Sequence, residues 1–176
     1  KKFLDKKRVL VTGGTGSLGQ VLVRRILSGE LGTPSKVIVL SRDEAKQHDM
    51  RLRFLNKLIS TDEIIYSNFK QLLEFRIGDV RDFHDICSAI SDSEVIFNAA
   101  ALKQVPVCEY FPDQAILTNC IGAVNIVRAI KENGYAVDTV VGISLNGIMF
   151  AQEIAGQLDV EVAIHRNVDG EGNGHL

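Results

Sequence analysis

Cysteine is scarce in this chain: Cys87, Cys108 and Cys120 lie far apart, and none belongs to a Cys-x-x-Cys pair. That excludes a disulfide framework and offers no zinc spacing; reduced thiols are expected. Histidine is equally sparse, and His48, His84, His165 and His175 share no ligand spacing, so no metal site is expected. Neither sign of charge dominates. With 20 Lys and Arg against 22 Asp and Glu, the net charge of -2 provides no basic field for nucleic acid or an anionic membrane. No apolar run reaches membrane-spanning length, and the opening KKFLDKKRVLVTGG lacks the apolar core and cleavage site of a signal peptide. A soluble cytoplasmic chain without nucleic-acid or membrane partners is the expectation.

What the chain does have is a recurring apolar run. At 176 residues and 45% hydrophobic content, it can bury one substantial core. Strands are expected at 8–11, 36–40, 73–77, 95–97, 140–143 and 160–164, with helices at 18–27, 43–58, 83–90, 113–133 and 148–158 between them. Such alternation predicts an α/β chain with a Rossmann-type doubly wound parallel sheet. Asp43 is placed to cap the second helix and Gly134 to stop the long one. Segment 59–72 reads as the least regular internal part. Residues 1–167 read as one nucleotide-binding domain, and VDGEGNGHL at 168–176 as a frayed tail or remnant of a further domain.

The best chemical signal is RVLVTGGTGSLGQVLVRRIL, residues 8–27. Gly13, Gly16 and Gly19 stand between a β-branched strand and an amphipathic helix, the context in which such a pattern binds a dinucleotide. Gly13 permits the turn, Gly16 lets backbone approach a pyrophosphate, and Gly19 lets helix pack on strand. Amides of Thr15, Ser17 and Leu18 then face the phosphates at the positive helix end. A turn that merely joins strand to helix is the plain alternative, and the flanks argue against it. At the end of the second strand the sequence is SRDEAK. Ser41 and Arg42 suit a 2'-phosphate, with Lys46 adding charge, so NADP is expected ahead of NAD; the other possibility is that Asp43 takes a ribose hydroxyl.

With SRDEAKQ at 41–47, FRIGDVRD at 75–82 and NAAALKQVPVCEY at 98–110 in order, the chain resembles the extended short-chain dehydrogenase/reductases. Within them it resembles the nucleotide-sugar 4,6-dehydratases, nearest the inverting, 5-epimerising UDP-N-acetylglucosamine group of surface-polysaccharide synthesis. That resemblance implies a UDP-sugar substrate, hydro-lyase chemistry and a homo-oligomer. It implies that Asp79 and Val80 border the adenine, and that Ala99, Ala100 and Ala101 line the cofactor's path. It also implies that Lys103 points toward the nicotinamide ribose or the substrate, and that Asn119 braces the sheet. Ser144 would begin a catalytic Ser-Thr-Asp-Lys segment. Glu109, Tyr110 and Asn167 would approach substrate, with packing or capping an equal reading for Glu109 and Tyr110.

Against that pattern, Thr-Asp-Lys does not follow Ser144, and the helix after it carries no lysine. The expectation is a missing stretch between 144 and 146 and a largely absent substrate-binding domain. One Tyr-x-x-x-Lys match, Tyr66 to Lys70, precedes the third strand and is expected on the sheet's flank. Two alternatives stand beside the dehydratase: a nucleotide-sugar 4-epimerase and a non-catalytic dinucleotide-binding module.

Overall fold

A computed structural model describes residues 2–55, 63–91 and 93–165. They fall into two compact units, which divide between Ala129 and Ile130.

The first unit is built on two strands with no solvent-facing side. In β1 (Arg8–Thr12) every residue after Arg8 is buried, and in β2 (Lys36–Ser41) every residue after Lys36. Unbroken burial rather than alternation means apolar cover on both faces, the condition of a parallel sheet. With β3 (Leu73–Ile77) and β4 (Val95–Asn98) the sheet runs β3-β2-β1-β4, every pairing parallel. This is the expected Rossmann-type arrangement. Helix α1 (Ser17–Leu27) joins β1 to β2, α2 (Glu44–Leu55) and α3 (Glu63–Leu72) join β2 to β3, and α4 (Phe83–Ile90) joins β3 to β4.

One face of the sheet carries Val9, Val11, Val37 and Val39, which pack with Val23, Ile26 and Leu27 of α1, Met50 and Phe54 of α2, and Ile65 and Phe69 of α3. The rings of Phe54 and Phe69 stack at 5.1 Å. At alternate positions Leu10, Ile38 and Leu40 are buried too, as the two-residue period of a strand requires.

Several boundaries differ from expectation for local reasons. Most of the irregular stretch is α3, because Ile65 and Phe69 are one helical turn apart and both buried; 59–62 lie outside the described residues, as do 56–58 at the expected end of α2. A short helix α5 (Val105–Tyr110) starts with proline in its first turn, a position that needs no amide donor. The expected long helix is α6 (Pro112–Ile116), a π turn (Leu117–Ile121) and α7 (Gly122–Glu132).

In the second unit β5 (Thr139–Ile143) pairs in parallel with β6 (Glu161–His165), and α8 (Ser144–Leu158) connects them. Helix α8 begins directly at Ser144 instead of Ile148. Gly142 makes this abrupt entry feasible, since a Cβ there would lie 2.8 Å from the Ile148 Cα. The tail 168–176 lies outside the described residues.

Candidate functional site

Parallel strands place all their carboxyl ends at one edge, so segments far apart in sequence meet there. Chain beyond each strand continues the ladder: Gly13 N donates to Leu40 O at 2.9 Å, Ala99 N to Thr12 O at 3.2 Å, and Gly78 N to Ser41 O at 3.2 Å. The glycine turn is thereby backed against Ala99 and Ala100. Gly13 adopts φ 63°, and a Cβ there would sit 2.7 Å from the Ala100 Cα, so neither the conformation nor the space admits a side chain.

Above this edge lies a cleft of about 810 Å³. It is lined by Gly13, Thr15, Gly16, Ser17, Leu18 and Gly19 of the turn, and by Ser41, Arg42, Asp43 and Lys46 after β2. Asp79, Val80, Ala99, Ala100, Ala101 and Lys103 complete it. The structure thus gathers into one cavity every residue expected around a dinucleotide. Glu109, exposed on α5, is not among the lining residues. Ser144 opens α8 in the second unit, and Asn167 lies outside the described residues. Tyr66 and Lys70 sit together on α3, the Lys70 ammonium 4.6 Å from the Tyr66 ring centre, and neither lines the cleft.

Buried polar contacts hold the cleft's floor. The Thr15 and Ser41 hydroxyls share a hydrogen bond of 2.8 Å. Gln47, buried on α2, donates from Nε2 to both Ser41 O and Arg76 O at 2.8 Å, joining the ends of β2 and β3. Asn119 grips the backbone of Leu102 from both sides, accepting its N–H at 2.8 Å and donating to its carbonyl at 2.9 Å. That grip fixes the chain beyond β4 on its way to Lys103. Asn125 donates to Val80 O at 2.9 Å and Arg81 O at 3.0 Å, anchoring the opposite wall.

Three groups escaped the sequence reading. Gln47 and Gln20 gave no signal, because their partners are backbone carbonyls. Thr118 lies in the π turn, where one extra residue shifts the helical register, and such turns cluster at functional sites. It is 8% exposed, lines the cleft, and its Oγ1 is buried without a hydrogen-bond partner. A buried orphan hydroxyl facing a cavity fits a polar ligand there. The first turn of α1 fits one as well: Gly16 caps it with no side-chain acceptor, and the turn contains no acidic residue.

The electrostatics pair the cations that the sequence offered to a 2'-phosphate: Arg42 Nη1 lies 3.6 Å from Asp79 Oδ2. Asp79 also accepts from Arg81 Nε at 2.8 Å. Asp43 accepts the Lys46 amide at 3.0 Å, capping α2, and pairs with the Lys46 ammonium at 3.0 Å. Two carboxylates therefore stand beside Arg42 and Lys46, each paired with one of these cations. Burial pushes the Asp79 carboxyl up, but the hydrogen bonds from the Arg81 side chain and backbone, with the charges of Arg81 and Arg42, outweigh it and hold the carboxyl below its ordinary value.

A depressed carboxyl stabilises the fold above its unfolded value, about 3.9, and loses that contribution as pH falls through its folded value. Asp79→Asn is accordingly expected to cost about 1 kcal/mol at neutral pH, the gap to the parent closing below about pH 4. Urea denaturation across that range checks this; a gap that stays constant into acid would refute the ion-pair account.

Residues 9–157 match the family described as polysaccharide biosynthesis protein. A UDP-glucose 4-epimerase of Rickettsia bellii (strain OSU 85-389) is 43% identical over 135 residues, which cover 76% of this chain and 35% of the relative. The chain thus spans about a third of the length of the curated relatives it matches. Among solved structures, Pen from Bacillus thuringiensis aligns with a TM-score of 0.66 at 27% identity, covering 92% of this chain and 50% of that one. The UDP-glucose 4-epimerase of Thermus thermophilus, in complex with NAD, aligns with a TM-score of 0.55 at 24% identity, covering 78% and 37%.

Two expectations fall with these findings. The hydro-lyase assignment is overturned, because the curated relatives are described as 4-epimerases, which are isomerases. The preference for NADP is overturned as well. Solved relatives described with a nicotinamide cofactor name NAD, NAD+ or NADH, in keeping with the two carboxylates beside Arg42.

Proposed function

The chain belongs to the polysaccharide biosynthesis protein family, and from that premise we propose that its cleft holds NAD as the cofactor-binding part of a UDP-sugar 4-epimerase. The observation that carries this reading is the cleft itself: a glycine turn, an uncapped helix start and an orphan Thr118 hydroxyl around one cavity. The 43% identity to a UDP-glucose 4-epimerase supports the reaction class. NAD bound there would supply a hydride acceptor for C4 of a sugar and return the hydride to the opposite face.

This chain's residues do the rest. Amides of Ser17 and Leu18 take the diphosphate, and Asp43 and Asp79 favour an unphosphorylated adenosine ribose. Thr118 donates its hydroxyl to the cofactor, held by a helix that Asn119 fixes to Leu102. Lys103, exposed at the rim, reaches the nicotinamide ribose or the sugar. Glu109 is assigned a polar contact to the substrate.

A second reading, a non-catalytic dinucleotide-binding module, is favoured by one feature: α8, SLNGIMFAQEIAGQL, contains neither tyrosine nor lysine. Without that pair α8 offers no phenol and ammonium couple of the kind that moves a proton at a sugar hydroxyl. Calorimetric titration with NAD+, followed by an assay for interconversion of UDP-glucose and UDP-galactose, separates the two. Binding with turnover establishes the epimerase, and binding without it leaves the module; no heat with NAD+ removes both.

A further inference from the structure

We propose that Arg53 supplies the countercharge to the dinucleotide's diphosphate, steered over the start of α1 by Gln20. The inference rests on the cofactor reading above, and it begins with spacing on α2. Lys46, Met50 and Arg53 share one helical face, and Met50, 3% exposed, fastens that face to the core. Lys46 and Arg53 therefore stand on the same wall, about 10 Å apart at 1.5 Å per residue. Both line the cleft.

The cations around the cleft are not equivalent. Arg42 is paired with Asp79, and Lys46 with Asp43. Arg53 makes no ion pair among the described residues. Asp49, one turn earlier, lines the same wall but is not bonded to it, so it reduces the positive field without cancelling it. The contact found for Arg53 is to a neutral group: its Nη1 donates to Gln20 Oε1 at 3.3 Å.

Gln20 is itself fixed, its Nε2 donating to Thr15 O at 2.7 Å. That bond holds the turn's Thr15–Gly16 peptide from one side, while Gly16 N donates to Gly13 O at 2.9 Å on the other. The guanidinium thus stands two hydrogen bonds from the glycine turn and lines the same cleft as Ser17 and Leu18.

A diphosphate brings two negative charges to that point, and a helix N-terminus offers only about half a positive charge. A cation there adds to that field, and a planar guanidinium with donors to spare matches phosphate oxygens in pairs. Arg53 is the cation whose charge is uncommitted on that wall. The bond to Gln20 is long, involves a neutral acceptor, and is readily exchanged for phosphate.

The test measures affinities of the parent chain, Arg53→Ala and Arg53→Lys for NAD+, ADP and adenosine by calorimetry, at low and high salt. Arg53→Ala is expected to weaken NAD+ and ADP by about tenfold, the effect of losing one hydrogen bond to a charged group, and to leave adenosine unchanged. Arg53→Lys should recover part of the loss, and high salt should shrink the difference. Equal affinity of the parent and Arg53→Ala for ADP would overturn the proposal. So would an equal loss for adenosine, which would mark damage to α2. A parent that binds ADP but not NAD+ would sink the cofactor reading while an Arg53-dependent ADP affinity upheld this one.

Discussion

Gly19→Ala is expected to destabilise the first unit by about 3 kcal/mol, the upper range for forcing atoms into a filled site. An added Cβ would lie 2.5 Å from both Gly13 O and the Gly14 Cα, and 2.7 Å from the Gly14 carbonyl carbon. All three are backbone atoms of the turn, so no side chain can swivel aside. Helix α1 would have to move away from β1 as a body, taking Val23, Ile26 and Leu27 out of the cluster they form with Val9 and Val37. Urea denaturation followed by circular dichroism measures the loss. An unfolding midpoint matching the parent's would mean that helix and turn do not meet as closely as the structure has them.

The turn was legible because its requirements are local. A buried strand, three glycines and an amphipathic helix follow one another within twenty residues or so, and each constrains its neighbours. Helix α4 was legible as well. It occupies the expected residues 83–90, and the structure adds a cap, Asp82 accepting the amides of His84 and Asp85.

Arg42 shows where such reading stops. Taken alone, serine, arginine and a nearby lysine match a phosphate. What decides their role is the register of β2 on β3, which sets Ser41 opposite Ile77 and so brings Asp79 beside the guanidinium. A contact between strand ends is invisible until the sheet is assembled. Thr118 was hidden for another reason: the π turn displaces it from the position a regular helix would give. The reaction class was beyond reach on different grounds. Residues of the glycine turn, SRDE and NAAALKQVP segments line the cleft, and a cofactor cleft by itself does not choose between dehydration and epimerisation at C4.

Gly16→Asp should have the opposite signature to the Gly19 substitution, sparing the fold and abolishing binding. Gly16 sits at φ -74° and ψ 171° as the N-cap of α1, a conformation open to any residue. Its added Cβ would meet only Gly13 O, at 3.2 Å, a contact relieved by a shift of a few tenths of an ångström. Aspartate is moreover a preferred N-cap, worth up to about 1 kcal/mol over residues that cannot cap, and it adds a negative charge at the positive end of the helix. Stability is therefore expected to stay level or rise slightly. For a diphosphate the same carboxylate is prohibitive. It would occupy the amides of α1's first turn, and at about 4 Å from a phosphate its repulsion is on the order of 4 kcal/mol near a protein surface. NAD+ affinity should fall by at least about a hundredfold. Gly16→Asn, equal in size and also a capping residue, separates charge from bulk: it should bind NAD+ more tightly than the aspartate variant and more weakly than the parent. If the aspartate variant took up NAD+ as the parent does, the diphosphate would have to lie away from the start of α1, and the cofactor assignment of the cleft would go with it.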